Sequence, residues 1–278
     1  MAVEPRRELA ARLVALDVDG TLLTTAEVLT PRTRDALVAA EAAGWHVTLV
    51  TGRPLSIALP VAHDLGLARF IVAANGATVA EVATGSVLHQ TSLPGSIVVE
   101  AITIARTAIP GLGLAVTTSR GFSREAGFVT LAPLSESEGT VVEDACPGPD
   151  EVVHSVVLYV VEGDARQLQE CLRPLLPAGV AVSPSGLPGS VELTAPGVHK
   201  GSGVLHLCEH LGVAQRDVVA FGDGLNDHEM LAWAGWGVAM GNADAATKEL
   251  ADEVTASNDD DGVARVLERM VAGLDQPW

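Results

Sequence analysis

The sequence predicts an α/β fold: a doubly wound parallel sheet into which a separate α+β module is inserted. Three observations carry that prediction. Short apolar runs alternate with helix-length segments over the first 81 residues, and the same alternation returns after residue 191. Between these stretches the texture changes to hairpins, single helices and turn-rich loops. The length, 278 residues, is that of about two domains.

Residues 13–16, Leu-Val-Ala-Leu before Asp17, form the unbroken apolar run of a strand covered on both faces. Residues 31–43 read as a helix, because Thr30 can cap it, Pro31 suits its first position and Gly44 stops it. Residues 46–50 and 70–73 are further buried strands, with a helix over 54–65 between them. From Val82 the reading is a hairpin over 82–91 around Thr84-Gly85, a helix over 97–109 and a strand over 114–118. An irregular loop rich in Gly, Ser, Pro and Glu follows over 133–150. A strand over 152–161, a helix over 165–176 and a strand over 180–183 complete the insertion. After it come a helix over 201–211, a strand over 218–221, a helix over 227–234, a strand over 236–239 and a last helix over 262–270. The expected organisation is a Rossmann-like core of residues 1–81 and 191–278. The inserted α+β module spans 82–190, hinged near Val82 and Ser190.

Composition narrows the possible partners. Lys and Arg total 17 against 35 Asp and Glu, a net charge of −18, which argues against nucleic acid or an anionic membrane surface as a partner. A hydrophobic content of 48 % with 19 % charged residues excludes a disordered chain. Aromatic residues at 3 % make a base-stacking platform a poor reading. Cys146, Cys171 and Cys208 are odd in number and lack CxxC spacing, so they read as free thiols packed in a reducing compartment. With no signal-peptide pattern and no run near 18 apolar residues, the chain is expected to be soluble and cytoplasmic. Its oligomeric state is not readable.

Four tracts carry the chemistry. Asp17-Val18-Asp19-Gly20-Thr21 ends the first strand. Two carboxylates there can divide the work, one ionised as nucleophile or metal ligand and the other carrying a proton; taken alone, Asp-Gly is equally an ordinary strand-end turn. Thr51-Gly52-Arg53 ends the second strand before a helix, where a hydroxyl and free N–H groups suit a phosphoryl oxygen or simply cap the helix. Lys200, one of only two lysines beside fifteen arginines, opens a helix, the end that repels cations. An anion shared with that helix would resolve the conflict. Gly222-Asp223-Gly224-Leu225-Asn226-Asp227 follows the strand at 218–221 and brings two more carboxylates to the same sheet edge, hard oxygen donors that favour Mg²⁺. A calcium EF-hand loop is excluded, since Leu225 and Leu22 stand where its ligand and its glycine would be.

The order and common strand-end placement of these tracts resemble the haloacid dehalogenase superfamily, in its Cof-type sugar-phosphatase branch, over nearly the whole chain. The resemblance extends to Ala74-Asn75-Gly76-Ala77, to residues 237–243 and to Asp261-Gly262-Val263. It implies Mg²⁺-dependent hydrolysis of a small phosphorylated metabolite, a sugar phosphate above all. Asp17 would become an aspartyl phosphate, and Asp19 would protonate the leaving oxygen and then take a proton from water. Asp17, the Asp19 carbonyl and Asp223 would hold the metal, with Asp227 close by or acting through water. Thr51, Gly52 and Lys200 would hold phosphoryl oxygens, with Asn226 orienting the site. The insertion would be the class IIB cap, a lid that excludes water and selects substrate. A phosphotransferase using another hydroxyl in place of water, or a phosphometabolite-binding regulator, remain alternatives; competent residues at every catalytic position count against the second.

His199, before the lysine, and the bulky Trp233 and Trp236 depart from the family's usual pattern, and packing is the expected role of the tryptophans. Arg120 and Arg124 read as solvated surface charges, or else as contacts for a second anionic group, and His89 and His154 have the same standing. Asp259-Asp260-Asp261 reads as a solvated acidic loop rather than a metal cluster.

Overall fold

In the computed structural model, which describes residues 12–118, 120–130 and 139–273, two sheets organise the chain. It runs through β1 (Arg12–Asp17), α1 (Pro31–Ala42), β2 (Trp45–Val50), α2 (Leu55–Leu65), β3 (Phe70–Ala73), β4 (Thr78–Glu81) and β5 (Val87–Gln90). It continues with β6 (Leu93–Pro94), α3 (Gly95–Ala108), β7 (Gly113–Thr118), β8 (Gly121–Glu125), β9 (Thr140–Val142) and β10 (Val152–Tyr159), then α4 (Ala165–Leu172), β11 (Ala181–Pro184) and β12 (Ser190–Thr194). It closes with α5 (Lys200–Leu211), β13 (Val218–Gly222), α6 (His228–Trp233), β14 (Trp236–Ala239), α7 (Ala245–Leu250), β15 (Glu253–Val254) and α8 (Gly262–Val271).

The larger sheet has the order β15-β14-β13-β1-β2-β3-β4-β5. It is parallel from β15 to β3 and ends in the antiparallel pairs β3–β4 and β4–β5. Its central strand shows why the apolar run is continuous. Val14 and Leu16 pack with Leu37 of α1 and Leu267 of α8, while Leu13 and Ala15 pack on the other face with Leu207 of α5 and Met230 of α6. Thr30 caps α1 as expected, accepting from the Thr33 N–H. Chain order reverses on the two sides of β1, so the crevice beyond the ends of β1 and β13 is the natural ligand position.

The second sheet has the order β11-β12-β10-β7-β8-β9, with β6 against β10. Helices α3 and α4 cover one face, through Val98, Ile102, Leu168 and Leu172 on Val116, Leu158 and Leu193. The opposite face carries Ala115, Phe122, Val157 and Tyr159, which pack with Phe128 and with Ile57 of α2 in the larger unit. The fold is therefore the expected α/β core with an α+β cap laid over it.

Several local expectations change. The hairpin around Thr84-Gly85 is β4–β5, it begins upstream of Val82, and it extends the core sheet rather than opening the insertion. At the other end, β12 belongs to the cap sheet and runs past Ser190 to Thr194. We therefore propose that the chain crosses between units near residues 91–92 and 195–199. Strands β6, β8, β9 and β12 lie outside the sequence reading, as do α7 and β15, and β9 stands within the stretch expected to be an irregular loop because it pairs with β8. Arg124, expected in solvent, is buried at 3 % exposure, because the alternation of β8 turns it inward beside Phe122. Arg120 is exposed and pairs with Glu151. His89 is half-buried and stacks on His206 at 3.7 Å between ring centroids, and burial lowers the His154 imidazole. Of the expected loop, residues 133–138 lie outside the described residues.

Candidate active site

The site is built where β1 and β13 end side by side. Asp17 is the last residue of β1 and is buried. The chain then turns through Gly20 at φ +81°, where a Cβ would collide with the Asp223 carboxylate, so glycine is required twice over at this position. Thr21 Oγ1 donates to Asp223 Oδ1 at 3.1 Å, and Asn242 Nδ2 donates both to Gly20 O at 2.8 Å and to Asp223 Oδ2 at 3.2 Å. The loops after β1 and β13 are thereby locked together.

Lys200 resolves the conflict of a cation at a helix start. Its Nζ is buried and donates to Asp17 Oδ1 and to Asp227 Oδ1, each at 2.6 Å. The other oxygen of Asp227 accepts from the backbone N–H groups of Asp223 and Gly224, at 3.0 and 2.9 Å. Asp227 thus ties the ammonium to the loop that presents Asp223. Burial alone would lower the Lys200 ammonium, but Asp17 and Asp227 raise it well above its ordinary value. The carboxylates show the opposite strain. Burial, then repulsion from Asp227 and Asp223 working against the pull of Lys200, raises the Asp17 carboxyl well above the usual range. Burial and Asp227 push Asp223 up to about 6. Carboxylate oxygens of Asp17, Asp223 and Asp227 come within 4.8 Å of one another. Three hard donors sharing an excess of negative charge fit a hard divalent cation.

Asp19 faces Arg53, whose Nε and Nη2 donate to its two carboxylate oxygens at 2.9 and 2.6 Å. Thr51 is buried and its Oγ1 accepts from the Arg53 N–H at 3.1 Å. At Gly52 a Cβ would stand 2.9 Å from the Ser185 carbonyl of the cap, so the two units approach here as closely as backbone allows. Asn226 donates from Nδ2 to Asn75 Oδ1 at 2.9 Å, and Asn75 Nδ2 donates to Ser185 O at 3.3 Å and to Glu192 Oε2 on β12. Glu192 is itself buried, which pushes its carboxyl up to about 7 against the hydrogen bonds from Asn75 and Ser155 and the charge of Lys200.

Asp17, Asp19, Gly52, Asp223 and Asn226 line one cavity of about 490 Å³. Thr51, Lys200 and Asp227 are buried and take no part in its lining. Sequence reasoning missed three contacts at the candidate site. Arg53 was in view without its reach to Asp19, Asn75 was in view without a partner, and Glu192 was not singled out. A signal existed for Glu192, since Ser190-Val191-Glu192-Leu193-Thr194 alternates as a half-buried strand does. The residue before the lysine also has a role: His199 Nδ1 accepts from the Ser202 N–H at 3.1 Å and caps α5. Trp236 belongs to the core on the α1 and α8 face of the sheet, and Trp233 packs against the core on the α5 and α6 face. Asp259 and Asp261 accept hydrogen bonds from Thr25 and Thr30, so the acidic loop ties the segment after β1 in place.

Comparison with known proteins gives a consistent picture. Residues 14–267 match a family model described as haloacid dehalogenase-like hydrolase. The chain is 31 % identical over 258 residues to a 5-amino-6-(5-phospho-D-ribitylamino)uracil phosphatase of Bacillus subtilis, covering 92 % of this chain and 96 % of the relative. It is 30 % identical to a pyridoxal phosphate phosphatase of Escherichia coli, covering 93 % and 98 %. A crystal structure of a haloacid dehalogenase-like hydrolase from Bacteroides thetaiotaomicron, 28 % identical, superposes with a TM-score of 0.75 over 94 % of this chain and 99 % of that one. Among the described residues no helix is long and apolar enough to cross a membrane.

Proposed function

The chain belongs to the haloacid dehalogenase-like hydrolases and is a phosphoric monoester hydrolase, and on that premise we propose that it is a Mg²⁺-dependent sugar phosphatase working through an aspartyl phosphate on Asp17. The observation that carries this reading is the buried Lys200 ammonium, 2.6 Å from Asp17 Oδ1, beneath a cavity that Asp17 and Asp19 both line. The phosphatase relatives are named for small phosphorylated compounds, and this chain's substrate is of the same size class.

Asp17 attacks phosphorus with its carboxylate, and the bond from phosphorus to the ester oxygen breaks. Lys200 fixes the orientation of Asp17 and offsets the charge gathering beside it. Asp19 gives its proton to the leaving oxygen. A water then attacks the aspartyl phosphate, passes its proton back to Asp19, and inorganic phosphate leaves with Asp17 restored. To act in this way Asp19 has to release Arg53, and the cost is small: their side chains are 51 % and 28 % exposed, and exposed pairs contribute only about 0–1 kcal/mol. Backbone at Gly52 receives phosphoryl oxygens, the buried Thr51 hydroxyl braces that loop by accepting from the Arg53 N–H, and Asn226, held by Asn75, orients the rim. Mg²⁺ held by Asp17 and Asp223, with Asp227 close by, would supply the positive charge that lets a carboxylate approach a phosphate dianion.

The test is phosphate release from a panel of sugar phosphates, with Mg²⁺ and with EDTA, for the wild type beside Asp17→Asn and Asp19→Asn. Release that requires metal and vanishes in both folded variants is expected. Undiminished release by Asp17→Asn would remove the nucleophile assignment.

A further inference from the structure

One side-chain amide stands where four tracts of the molecule meet. Asn75 is buried in the tight turn between β3 and β4. Its Oδ1 accepts from Asn226 Nδ2 at 2.9 Å, and its backbone N–H donates to Thr51 O at 3.1 Å. Both of those partners belong to the core. Its Nδ2 turns instead to the cap, donating to Ser185 O at 3.3 Å and to Glu192 Oε2. The two cap acceptors form one piece, because Ser185 is hydrogen-bonded to Ser190 of β12 through both backbone and hydroxyl. The turn itself is strained. Ala74 and Asn75 have left-handed backbone, at φ +48° and +47°, and such strain persists only where the surroundings over-determine it. Gly76 continues the turn at φ +100°, and a Cβ there would stand 2.1 Å from His199 O, so the turn is pressed against the start of the helix that Lys200 opens. A Cβ at Gly186 of the cap would stand 2.8 Å from Asn226 Nδ2. Asn75 and Asn226 are thus fixed between the cap loop and the core strand ends.

Glu192 and Asn75 take no part in lining the cavity, whereas Gly52 and Asn226 do. We propose that Glu192 is a positioning residue of the phosphatase reaction: from the cap it fixes the Asn75 amide, and through that amide it holds Asn226 and the backbone at Gly52 in the orientation that receives the phosphoryl group. This rests on the phosphatase reading above and adds to it a cap residue that acts on the phosphoryl end of the site rather than on the leaving group. Without the carboxylate, Asn75 Nδ2 loses one of its two acceptors, and the amide that Asn226 leans on gains freedom to turn. Groups set slightly out of place still bind the ester but meet the transition state poorly, so the loss falls on kcat and not on KM.

The test is steady-state phosphate release, with Mg²⁺, from p-nitrophenyl phosphate, glycerol 3-phosphate and ribose 5-phosphate. Glu192→Met fills the same space without an acceptor, and thermal unfolding checks that it is folded at the assay temperature. It is expected to lower kcat about tenfold, by the same factor for all three esters, with KM changed by less than about twofold. Glu192→Gln keeps an oxygen for Asn75 and should recover most of that loss. Asn75→Gly removes the amide while glycine keeps the left-handed backbone. The double variant Glu192→Met/Asn75→Gly should be no slower than Asn75→Gly alone, because the two residues act through one contact. An unchanged kcat in Glu192→Met, a loss that differs between esters, a loss that glutamine does not recover, or additive losses in the double variant would each overturn the inference and leave the phosphatase reading standing. Absence of phosphate release from every ester by the wild type would overturn both.

Discussion

Replacing Glu192 with glutamine should stabilise the protein, and by more as the pH rises. Glu192 is 1 % exposed on the cap strand β12 and joins the cap to Asn75 of the core. Burial raises its carboxyl from 4.5 to about 7. Between these two values the folded protein holds a proton that the unfolded chain has already released. Stability therefore falls as the pH climbs through this window, and the loss is complete once the folded carboxyl has ionised above about pH 7. At 1.36 kcal/mol for each unit, the ceiling on that loss is about 3 kcal/mol. Glutamine keeps the oxygen that accepts from Asn75 and cannot ionise. Thermal unfolding of Glu192→Gln and the wild type across this range is the assay. The two should melt together near the acid end. At the alkaline end the variant should melt higher, by about 2–4 °C for each kcal/mol recovered. Asp17 and Asp223 titrate in both proteins, so their contributions cancel from the difference. A gap that does not change with pH, or a variant that becomes relatively less stable as the pH rises, would refute the reasoning.

Other perturbations follow from the same geometry. Lys200→Met leaves Asp17 and Asp227 buried without their cation; it should abolish turnover and cost about 3–5 kcal/mol in urea unfolding. Gly20→Ala forces a Cβ against the Asp223 carboxylate at a positive φ, so phosphate release should fall sharply and the dependence on metal concentration should shift to higher values. Mg²⁺ at about a hundredfold its Kd should raise stability by about 2.7 kcal/mol, measured as a shift in thermal unfolding that EDTA reverses and Asp223→Asn lacks.

The strand-end motifs were legible because a parallel sheet covered on both faces writes its strands as unbroken apolar runs, and whatever polar residue follows each run stands at the sheet edge where the candidate site is proposed. Asp17, Thr51, Asp223 and the helix opened by Lys200 were found in that way. The scarcity of lysine pointed to Lys200, and the structure gives it two carboxylate partners. What was not legible depends on how the two sheets meet. Glu192 gains its meaning from Asn75, 117 residues away, a pairing that no local pattern announces. Arg124 reads as solvated in the sequence because a charged side chain ordinarily faces water; only the place of β8 beside β7 shows which face turns inward. The proposed crossing points differ from Val82 and Ser190 for a similar reason: β5 and β12 are each assigned by their sheet partners, not by their own composition.

The central claim is that Asp17 carries the phosphoryl group, and the most direct measurement is peptide mass mapping of enzyme quenched in acid during turnover with Mg²⁺. The account predicts the added mass of one phosphoryl group on the peptide containing Asp17, and none in Asp17→Asn. Phosphate release without any such adduct, or an adduct on the peptide containing Asp223 instead, would contradict it.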